Sequence, residues 1–327
     1  MDINPATLEV GRNSFVSIAE EMGMSLVRTA YSPGVKERRD CSCSIYDARG
    51  LMTAQAEHVP LHLGVMPQAV KEILKLFPAE KMRQGDAYII NDPYRGANHL
   101  PDIIMVTPVF YHNELFAYVG NMAHHSDVGG MRPRSMAGDA TEIFQEGIRF
   151  PGLKLAKDGC FDEQILRFVL ANTRTPENVE GDLNAQLATN MLASRRLAEL
   201  CDKYGISVIR ESMQLILDKS DIQMREELRK VKNCTVSGES AVDCGDQIYP
   251  IKVKATFDDG TLTLDFNGTS QQTASPVNAA PAATQAAVKF AIKTLIAPGI
   301  SPNEGAFRAI KTILPKGIII NPVSPAP

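Results

Sequence analysis

The sequence GNMAHHSDVGG, residues 120–130, places two adjacent histidines and an aspartate between an apolar run and a pair of glycines. Successive side chains on a β-strand point to opposite faces of the sheet, so His124 and His125 cannot both point the same way. At least one of them, alone or with Asp127, is therefore available for something other than packing in the core. What it could do depends on which other polar residues the fold brings to the same place.

A second polar loop, NHLPD, contributes His99 and Asp102, and the intervening Pro101 restricts the backbone between them. Two imidazoles and one carboxylate from two loops are a common ligand set for zinc, manganese or ferrous iron, and they leave coordination positions open. A metal in such a site could lower the pKa of a bound water or polarise a substrate oxygen. We expect His99 and Asp102 to be ligands, unless both are polar loop residues that satisfy backbone groups. Of the two adjacent histidines, His125 is preferred to His124 as the third ligand.

Two carboxylates are candidates for positioning or activating a water molecule. Asp40 follows two arginines in ERRDCS, where it could orient a water or instead form a surface ion pair. Glu146, in FQEGIRFP, lies near apolar residues and just before a glycine. Burial at that position would raise the pKa of the carboxyl and make Glu146 a candidate general base, whereas in an open turn it would be an ordinary solvated glutamate.

Three predicted strands must carry these loops. The stretch DAYIIN is followed by the first polar loop and by the apolar run DIIMVTPVFY, and ELFAYVGNMAH leads directly into HHSD. Neighbouring strands in one sheet would bring the two polar loops together. The tip of the hairpin between the last two strands is expected at His112. His58 and His62, with Pro60 between them, are interpreted as loop residues that line a cleft or cap the next helix.

Helical periodicity and turn signals outline the rest of the chain. Asn4 as N-cap and Pro5 at the first helical position start a long amphipathic helix, which a Pro-Gly pair ends. Residues 161–232 show the pattern of two or three helices. After them, Asp259-Gly260 is the predicted turn of a β-hairpin, and AIKTILPKGIIINP is predicted to form a strand pair.

The predicted fold class is therefore α+β, with mixed sheets and long amphipathic helices. We expect three regions: an N-terminal α+β region over residues 1–156 that carries the metal site, a helical segment over 157–232, and the start of a C-terminal α+β region over 233–327. The last region is expected to be incomplete, because the chain ends straight after a strand without a capping element. Length and composition agree with two or three globular domains, at 327 residues, 44% hydrophobic and 22% charged.

Charge and composition argue against several classes of protein. A net charge of −4 gives no reason to expect a nucleic acid or an anionic membrane as partner. No run approaches the roughly 18 apolar residues of a membrane-spanning helix, and the first residues lack a signal-peptide pattern. The six cysteines are scattered, which is typical of reduced thiols, so a cytoplasmic location is expected.

Several stretches spread over the whole chain follow one another in the order found in a known family. They include SPGVKERRDCSCSIYD, HVPLHLGVMP, GDAYIINDPYRGANHLPDIIMVTPVF, AHHSDVGG, QEGIRFPGLKL, DFNGTSQQ and ILPKGIIINP. Together they resemble the hydantoinase B/oxoprolinase family, and among its members the B-type subunit of N-methylhydantoinase. Related proteins are caprolactamase, 5-oxoprolinase and the subunits of acetone and acetophenone carboxylase.

The resemblance implies a metal-containing hydrolytic subunit of a two-component ATP-dependent amidohydrolase. The expected partner is a hydantoinase A-type subunit with an actin-like ATPase fold, which uses ATP and Mg to phosphorylate a hydantoin, 5-oxoproline or lactam ring. This chain, which has no phosphate-cradling loop of its own, would then open the ring. By the same resemblance a divalent metal lies at the positions of His99, Asp102 and His125, and Asp40 and Glu146 guide the attacking water. Family members continue well beyond NPVSPAP, so a C-terminal portion is expected to be absent.

Three other functions remain open for this sequence. A carboxylase subunit of the acetone or acetophenone carboxylase type would join CO2 to a phosphorylated enol, and the motifs do not separate it from the hydrolase. A ferrous oxygenase would use two histidines and one carboxylate, although its first pair more commonly lies two residues apart on one strand, not three apart in a loop. A non-catalytic subunit would only hold the ATPase partner.

Overall fold

The computed structural model describes residues 4–57, 59, 61–135 and 137–327, and the interpretation of His58 lies outside them. Helices precede and separate the strands, and the α+β class predicted from the sequence is confirmed. The helices are α1 (Pro5–Thr29), α2 (Pro33–Lys36), α3 (His62–Leu76), α4 (Glu163–Ala171), α5 (Pro176–Tyr204), α6 (Ile206–Arg229) and α7 (Pro281–Leu295).

The larger sheet of the described part of the chain is antiparallel throughout. Its strands are β1 (Cys41–Asp47), β2 (Met52–Glu57), β3 (Ala87–Ile90), β4 (Asp102–Tyr111), β5 (Glu114–His124), β6 (Leu153–Lys157) and β7 (Cys160–Phe161). They lie in the order β2-β1-β5-β4-β3-β6-β7. The hairpin of β4 and β5 is central and turns at His112, as predicted, and it pairs Asp102 with His124 at its open end.

The first helix begins where the sequence predicts it. The side chain of Asn4 accepts a hydrogen bond from the Ala6 N–H at 2.9 Å, which satisfies one of the amide groups that a helix start leaves unpaired. The buried face of α1 includes Phe15, Met22 and Leu26, and it packs against α5 and the larger sheet. This side of the sheet is therefore covered by long helices.

The larger sheet lies between two helical layers. Its central strands are buried on both faces, so they appear in the sequence as continuous apolar runs rather than as alternating patterns. On β5, Met122 packs in the hydrophobic cluster that includes α3 and α7, whereas Ala123 packs in the cluster of α1 and α5. Neighbouring residues of β5 thus face different layers, which decides the directions of the two adjacent histidines.

A smaller sheet follows the long helices and confirms the expected mixed strand pairing. Its strands are β8 (Cys234–Cys244), β9 (Gln247–Asp258), β10 (Thr261–Asp265) and β11 (Ile310–Ile313), in the order β11-β10-β9-β8. The turn predicted at Asp259-Gly260 joins β9 to β10, and β11 pairs with β10 in parallel. Apolar residues of this sheet and of α7 share one core cluster with the larger sheet.

The prediction of a strand pair near residue 320 is wrong. Only β11 forms, and the following segment makes isolated bridges through Ile318. Pro315 has no N–H to donate to a ladder, and Gly317 at φ 82° turns the chain. Ile318 and Ile319 then enter the core, which explains their apolar sequence without a second strand.

Contacts in the core cross the three regions expected from the sequence. Helix α5 packs on β4 and β5, and one hydrophobic cluster joins residues of the larger sheet with residues of α6, α7 and the smaller sheet. The boundaries expected near residues 156 and 232 stay a prediction. In the described part of the chain, no helix combines the length and apolar character needed to cross a membrane.

Candidate metal centre

Three of the predicted ligands meet at the open end of the central hairpin. Asp102 begins β4 and His124 ends β5, and as a directly opposed pair they project from the same face of the sheet. His124 Nδ1 and His99 Nε2 each lie 2.9 Å from Asp102 Oδ1. One nitrogen of each histidine and one carboxylate oxygen all lie within 4.8 Å of one another. We refer to His99, Asp102 and His124 as the triad.

The triad has the chemistry of a divalent-metal site. Two imidazole nitrogens and one carboxylate oxygen suit zinc, manganese or ferrous iron. The second oxygen of Asp102 accepts a hydrogen bond from Asn98 Nδ2 at 2.9 Å, which fixes the carboxylate while its first oxygen faces both histidines. The residues present therefore fit such an ion.

The charges of the triad are matched to this role. Burial opposes ionisation of Asp102, but the charge of His99 and hydrogen bonds from both histidines outweigh it and hold the pKa of the carboxyl well below its usual value. For His99, burial acts to lower the pKa and the Asp102 carboxylate more than compensates, so the pKa is raised. Asp102 is thus ionised at neutral pH, as a metal ligand would have to be.

The geometry reverses the preference between the two adjacent histidines. His124 and His125 do point to opposite sides, as the strand argument predicts. His125 is fully buried beneath α5, where its Nε2 lies 3.0 Å from Gln186 Oε1, and burial lowers its pKa. His124, whose strand partner is Asp102, joins the triad, so the preference for His125 as ligand is not supported.

Sequence reasoning missed the polar network that holds His125. Gln186 Nε2 donates to Asn121 Oδ1 at 2.9 Å and to the Ile103 carbonyl, and Asn121 Nδ2 donates to Asn190 Oδ1 at 2.8 Å. This network fastens α5 to the two strands that carry the triad. The sequence does contain a pattern that could have indicated it: Asn121 lies in an apolar strand, and Gln186 and Asn190 are four residues apart on one face of a helix.

Asp40 lies beside the triad, at the entrance of β1. Its backbone carbonyl accepts the His124 N–H at 3.0 Å, and its carboxylate Oδ1 lies 3.8 Å from His62 Nε2. His62, the first residue of α3, is buried, and its Nδ1 lies 2.9 Å from Ser42 Oγ. Asp40 therefore lies beside a buried histidine whose pKa is lowered by that burial, so the pair is not an ion pair of the surface kind. His62 is part of a helix, and its interpretation as a loop residue is wrong.

Glu146 reaches the same region from a different loop. Burial raises the pKa of its carboxyl, as expected, while His99 opposes the rise. The carboxylate makes no hydrogen bond to any residue that the structure describes. Asn91 holds its segment: the side-chain oxygen accepts the Phe150 N–H at 2.6 Å and its amide donates to the Leu100 carbonyl at 2.7 Å. The Glu146 and His99 loops are thus fastened to each other.

Asp127 is occupied in holding the loop after β5. Its carboxylate accepts the backbone N–H groups of Gly129, Arg134 and Arg174 at 2.9–3.1 Å, and the Arg174 guanidinium lies 3.1 Å away. These bonds lower the pKa of a carboxyl that burial alone would raise. Asp127 shapes the site from outside the triad.

A cavity of about 360 Å³ opens beside the triad. His99, Asn98 and Glu146 lie on one side of it, and the segment 276–283 forms much of the other side. The chain therefore combines at one place a candidate metal centre, a carboxyl with a raised pKa and a cavity that is open to solvent.

Comparison with known proteins identifies the family. The model of the family described as hydantoinase B/oxoprolinase matches residues 4–327. The chain belongs to the hydantoinase B/oxoprolinase family. The resemblance stated from the sequence motifs is thereby confirmed.

Individual members of the hydantoinase B/oxoprolinase family agree with this assignment. The chain is 38% identical to protein MJ0963 of Methanocaldococcus jannaschii over 98% of its own length and 57% of that protein. It is 33% identical to 5-oxoprolinase PfmaA of Pestalotiopsis fici, over 99% of the chain and 26% of that protein. The crystal structure of ATP-dependent caprolactamase from Pseudomonas jessenii matches with a TM-score of 0.94 and 29% identity, over 100% of this chain and 57% of that one. The chain thus spans between about a quarter and somewhat over half of these relatives.

Proposed function

We propose that the chain is the metal-containing hydrolytic subunit of a two-component, ATP-dependent amidohydrolase. It opens a hydantoin, 5-oxoproline or lactam ring after a hydantoinase A-type partner has phosphorylated the ring oxygen with ATP and Mg. The observation that carries the proposal is the triad, whose His99 lines the same cavity as Glu146, a carboxyl without a hydrogen bond to any residue that the structure describes. The named activities of the relatives, 5-oxoprolinase and ATP-dependent caprolactamase, support the same reaction class.

Each residue of the site has a role in this reaction. A divalent zinc, manganese or iron ion held by the triad supplies a Lewis acid. Glu146, whose raised pKa suits a general base, takes a proton from the attacking water, and Asp40 orients that water with His62 behind it. Water adds to the activated ring carbon, the ring C–N bond breaks as its nitrogen takes a proton, and a second water releases phosphate. A cytoplasmic location stays a prediction.

Metal content measured by mass spectrometry tests the site. The purified chain should hold about one divalent ion, and His99→Ala and His124→Ala should lose it because each removes one of three ligands. His125→Gln and His112→Ala should keep it, since His125 faces α5 and His112 lies at the hairpin tip. Loss of metal in His125→Gln with retention in His124→Ala would overturn the assignment of ligands.

Turnover with the ATPase partner tests the reaction. With ATP and 5-oxoproline, hydantoin or caprolactam, the pair should release phosphate and a ring-opened amino acid, and Glu146→Gln should lower kcat by roughly 100-fold or more. Bicarbonate-dependent consumption of a ketone would replace the proposal by the carboxylase reaction. Iron in the site with oxygen consumption would replace it by the oxygenase, and unchanged turnover in His99→Ala would indicate a non-catalytic subunit.

A further inference from the structure

We infer that the cavity beside the triad binds the ring of a small cyclic amide and that Ala283 limits the size of that ring. The nature of the ligand rests on the proposed function, whereas the position and the limit come from the cavity itself. Ala283 lies in the first turn of α7, far in sequence from the triad. Residues outside the metal centre would therefore determine which ring is accepted.

The cavity has two chemically different sides. Its volume of about 360 Å³ is at the lower end of the roughly 300–1,000 Å³ usual for small-molecule sites. The polar side contains Asn98, His99 and Glu146. The opposite side is formed mainly by small or apolar residues, namely Pro276, Ala279, Ala280, Ala283 and Pro322. Asn278 also lines it, but its side-chain amide donates to the backbone carbonyls of Thr273, Ser275 and Pro327.

A cyclic amide matches this division. Its methylene carbons form an apolar arc, and its carbonyl and nitrogen form a polar edge. Among the described residues that line the cavity there is no lysine or arginine. The polar edge of the ring therefore faces Asn98, His99 and Glu146, where an ion held by the triad would offset the charge of the phosphate, and the methylene arc faces the wall of alanines and prolines.

The apolar wall is held too firmly to move aside for a larger ring. At Gly64 of α3, an added Cβ would lie 2.4 Å from the Ala286 Cα of α7, so the two helices are in backbone contact. Thr284 Oγ1 donates to the Ile320 carbonyl at 2.7 Å, and the Ala279 N–H donates to the Ile319 carbonyl at 2.8 Å. Since the wall is fixed, the size of the Ala283 side chain sets the space available.

The experiment uses Mn²⁺ at the triad as a paramagnetic probe and measures the proton relaxation of lactams by NMR. In the wild-type chain, protons of pyrrolidin-2-one and of ε-caprolactam should relax faster when Mn²⁺ is bound. Ala283→Leu should weaken this effect about tenfold or more, most strongly for the seven-membered ring, because the added carbons occupy the cavity. Ala287→Leu is the matched control: this residue lies on the exposed side of the same helix and should change nothing.

The result separates this inference from the proposed function. Mn²⁺ binding is measured in the same samples by electron paramagnetic resonance, and folding by circular dichroism. If Mn²⁺ binds and both lactams relax equally in wild type and Ala283→Leu, the inference is overturned while the metal centre stands. If Mn²⁺ does not bind, the assignment of the metal centre is wrong. Lactam binding to the wild type, Ala283→Leu and Ala287→Leu is then compared by saturation-transfer NMR, which needs no metal. Ala283→Gly enlarges the cavity and should improve the binding of an eight-membered lactam. Unchanged binding of that lactam would also contradict the inference that Ala283 limits the ring size.

Discussion

Substitution of Gly64 by alanine tests how closely the helices beside the site are packed. Alanine is favoured over glycine by about 1 kcal/mol in a helix interior, and by no more than that at Gly64, which lies in the first turn of α3. Against this, the new Cβ would lie 2.4 Å from the Cα and 2.6 Å from the backbone nitrogen of Ala286, and a helix backbone cannot rotate away. Overpacking of a rigid contact costs about 1–3 kcal/mol, and this contact belongs at the upper end. The free energy of unfolding should therefore fall by about 1–2 kcal/mol in Gly64→Ala.

Two other helix glycines provide matched controls. At Gly11 of α1, the added Cβ would meet only the Ser212 side chain, at 3.2–3.3 Å, so Gly11→Ala should be neutral or stabilising by up to about 1 kcal/mol. At Gly181 of α5 it would meet the Tyr31 ring at 2.3 Å, but that ring is 65% exposed and can turn outward. Gly181→Ala should thus fall between the other two variants.

Urea denaturation followed by circular dichroism measures all three variants. The predicted order of stability is Gly11→Ala, then Gly181→Ala, then Gly64→Ala, with similar m-values. Because Gly64 holds the helix that carries Ala283, lactam relaxation near the triad should also decrease in Gly64→Ala. A Gly64→Ala chain as stable as the wild type, or more stable than Gly181→Ala, would refute the reasoning.

Two further predictions concern buried polar groups. Burial lowers the pKa of Lys289 to about 8 from its ordinary 10.5, so Lys289→Met should raise the free energy of unfolding by about 3 kcal/mol below pH 8. That gain should disappear as the pH rises towards 10.5, where the lysine of the unfolded chain also loses its proton. Urea titrations below about pH 8 and near pH 10.5 measure the difference, with Lys293→Met as control. Gln186→Leu should lower the free energy of unfolding by about 3 kcal/mol, because His125 Nε2 and Asn121 Oδ1 lose their partner. A cost below about 1 kcal/mol in the same titration would contradict this role.

Local signals in the sequence were sufficient for several elements. The Asn4 cap and the Asp259-Gly260 turn depend on side chains and backbone conformations within a few residues, and both are found as predicted. The second strand expected near Ile318 was wrong because an apolar run indicates burial but does not say whether a neighbouring strand is available. Its isoleucines are buried in a hydrophobic cluster that includes residues of α3 and of the larger sheet, which are distant in sequence.

The candidate site was predictable in its members but not in its details. Strand alternation showed that His124 and His125 diverge, and the pairing of two strands explains why His99 and Asp102 meet one of them. Whether His124 or His125 joins them depends on the register of the two strands, and a shift of one residue would exchange the two histidines. Gln186, which holds the other histidine, comes from a helix whose packing the sequence does not reveal.

The two sides of the cavity are built in different ways, and this separates chemistry from substrate choice. The triad depends on the register of β4 and β5, with Asp102 directly opposite His124, so even a small shift would dismantle it. The apolar wall around Ala283 consists of a loop and the first turn of a helix, where side chains of different size can replace one another without altering that register. Two relatives carry names that refer to rings of different size, 5-oxoproline and caprolactam. Under the proposed function, such differences would be accommodated most easily on this wall, since a change there leaves the triad and Glu146 of this chain in place.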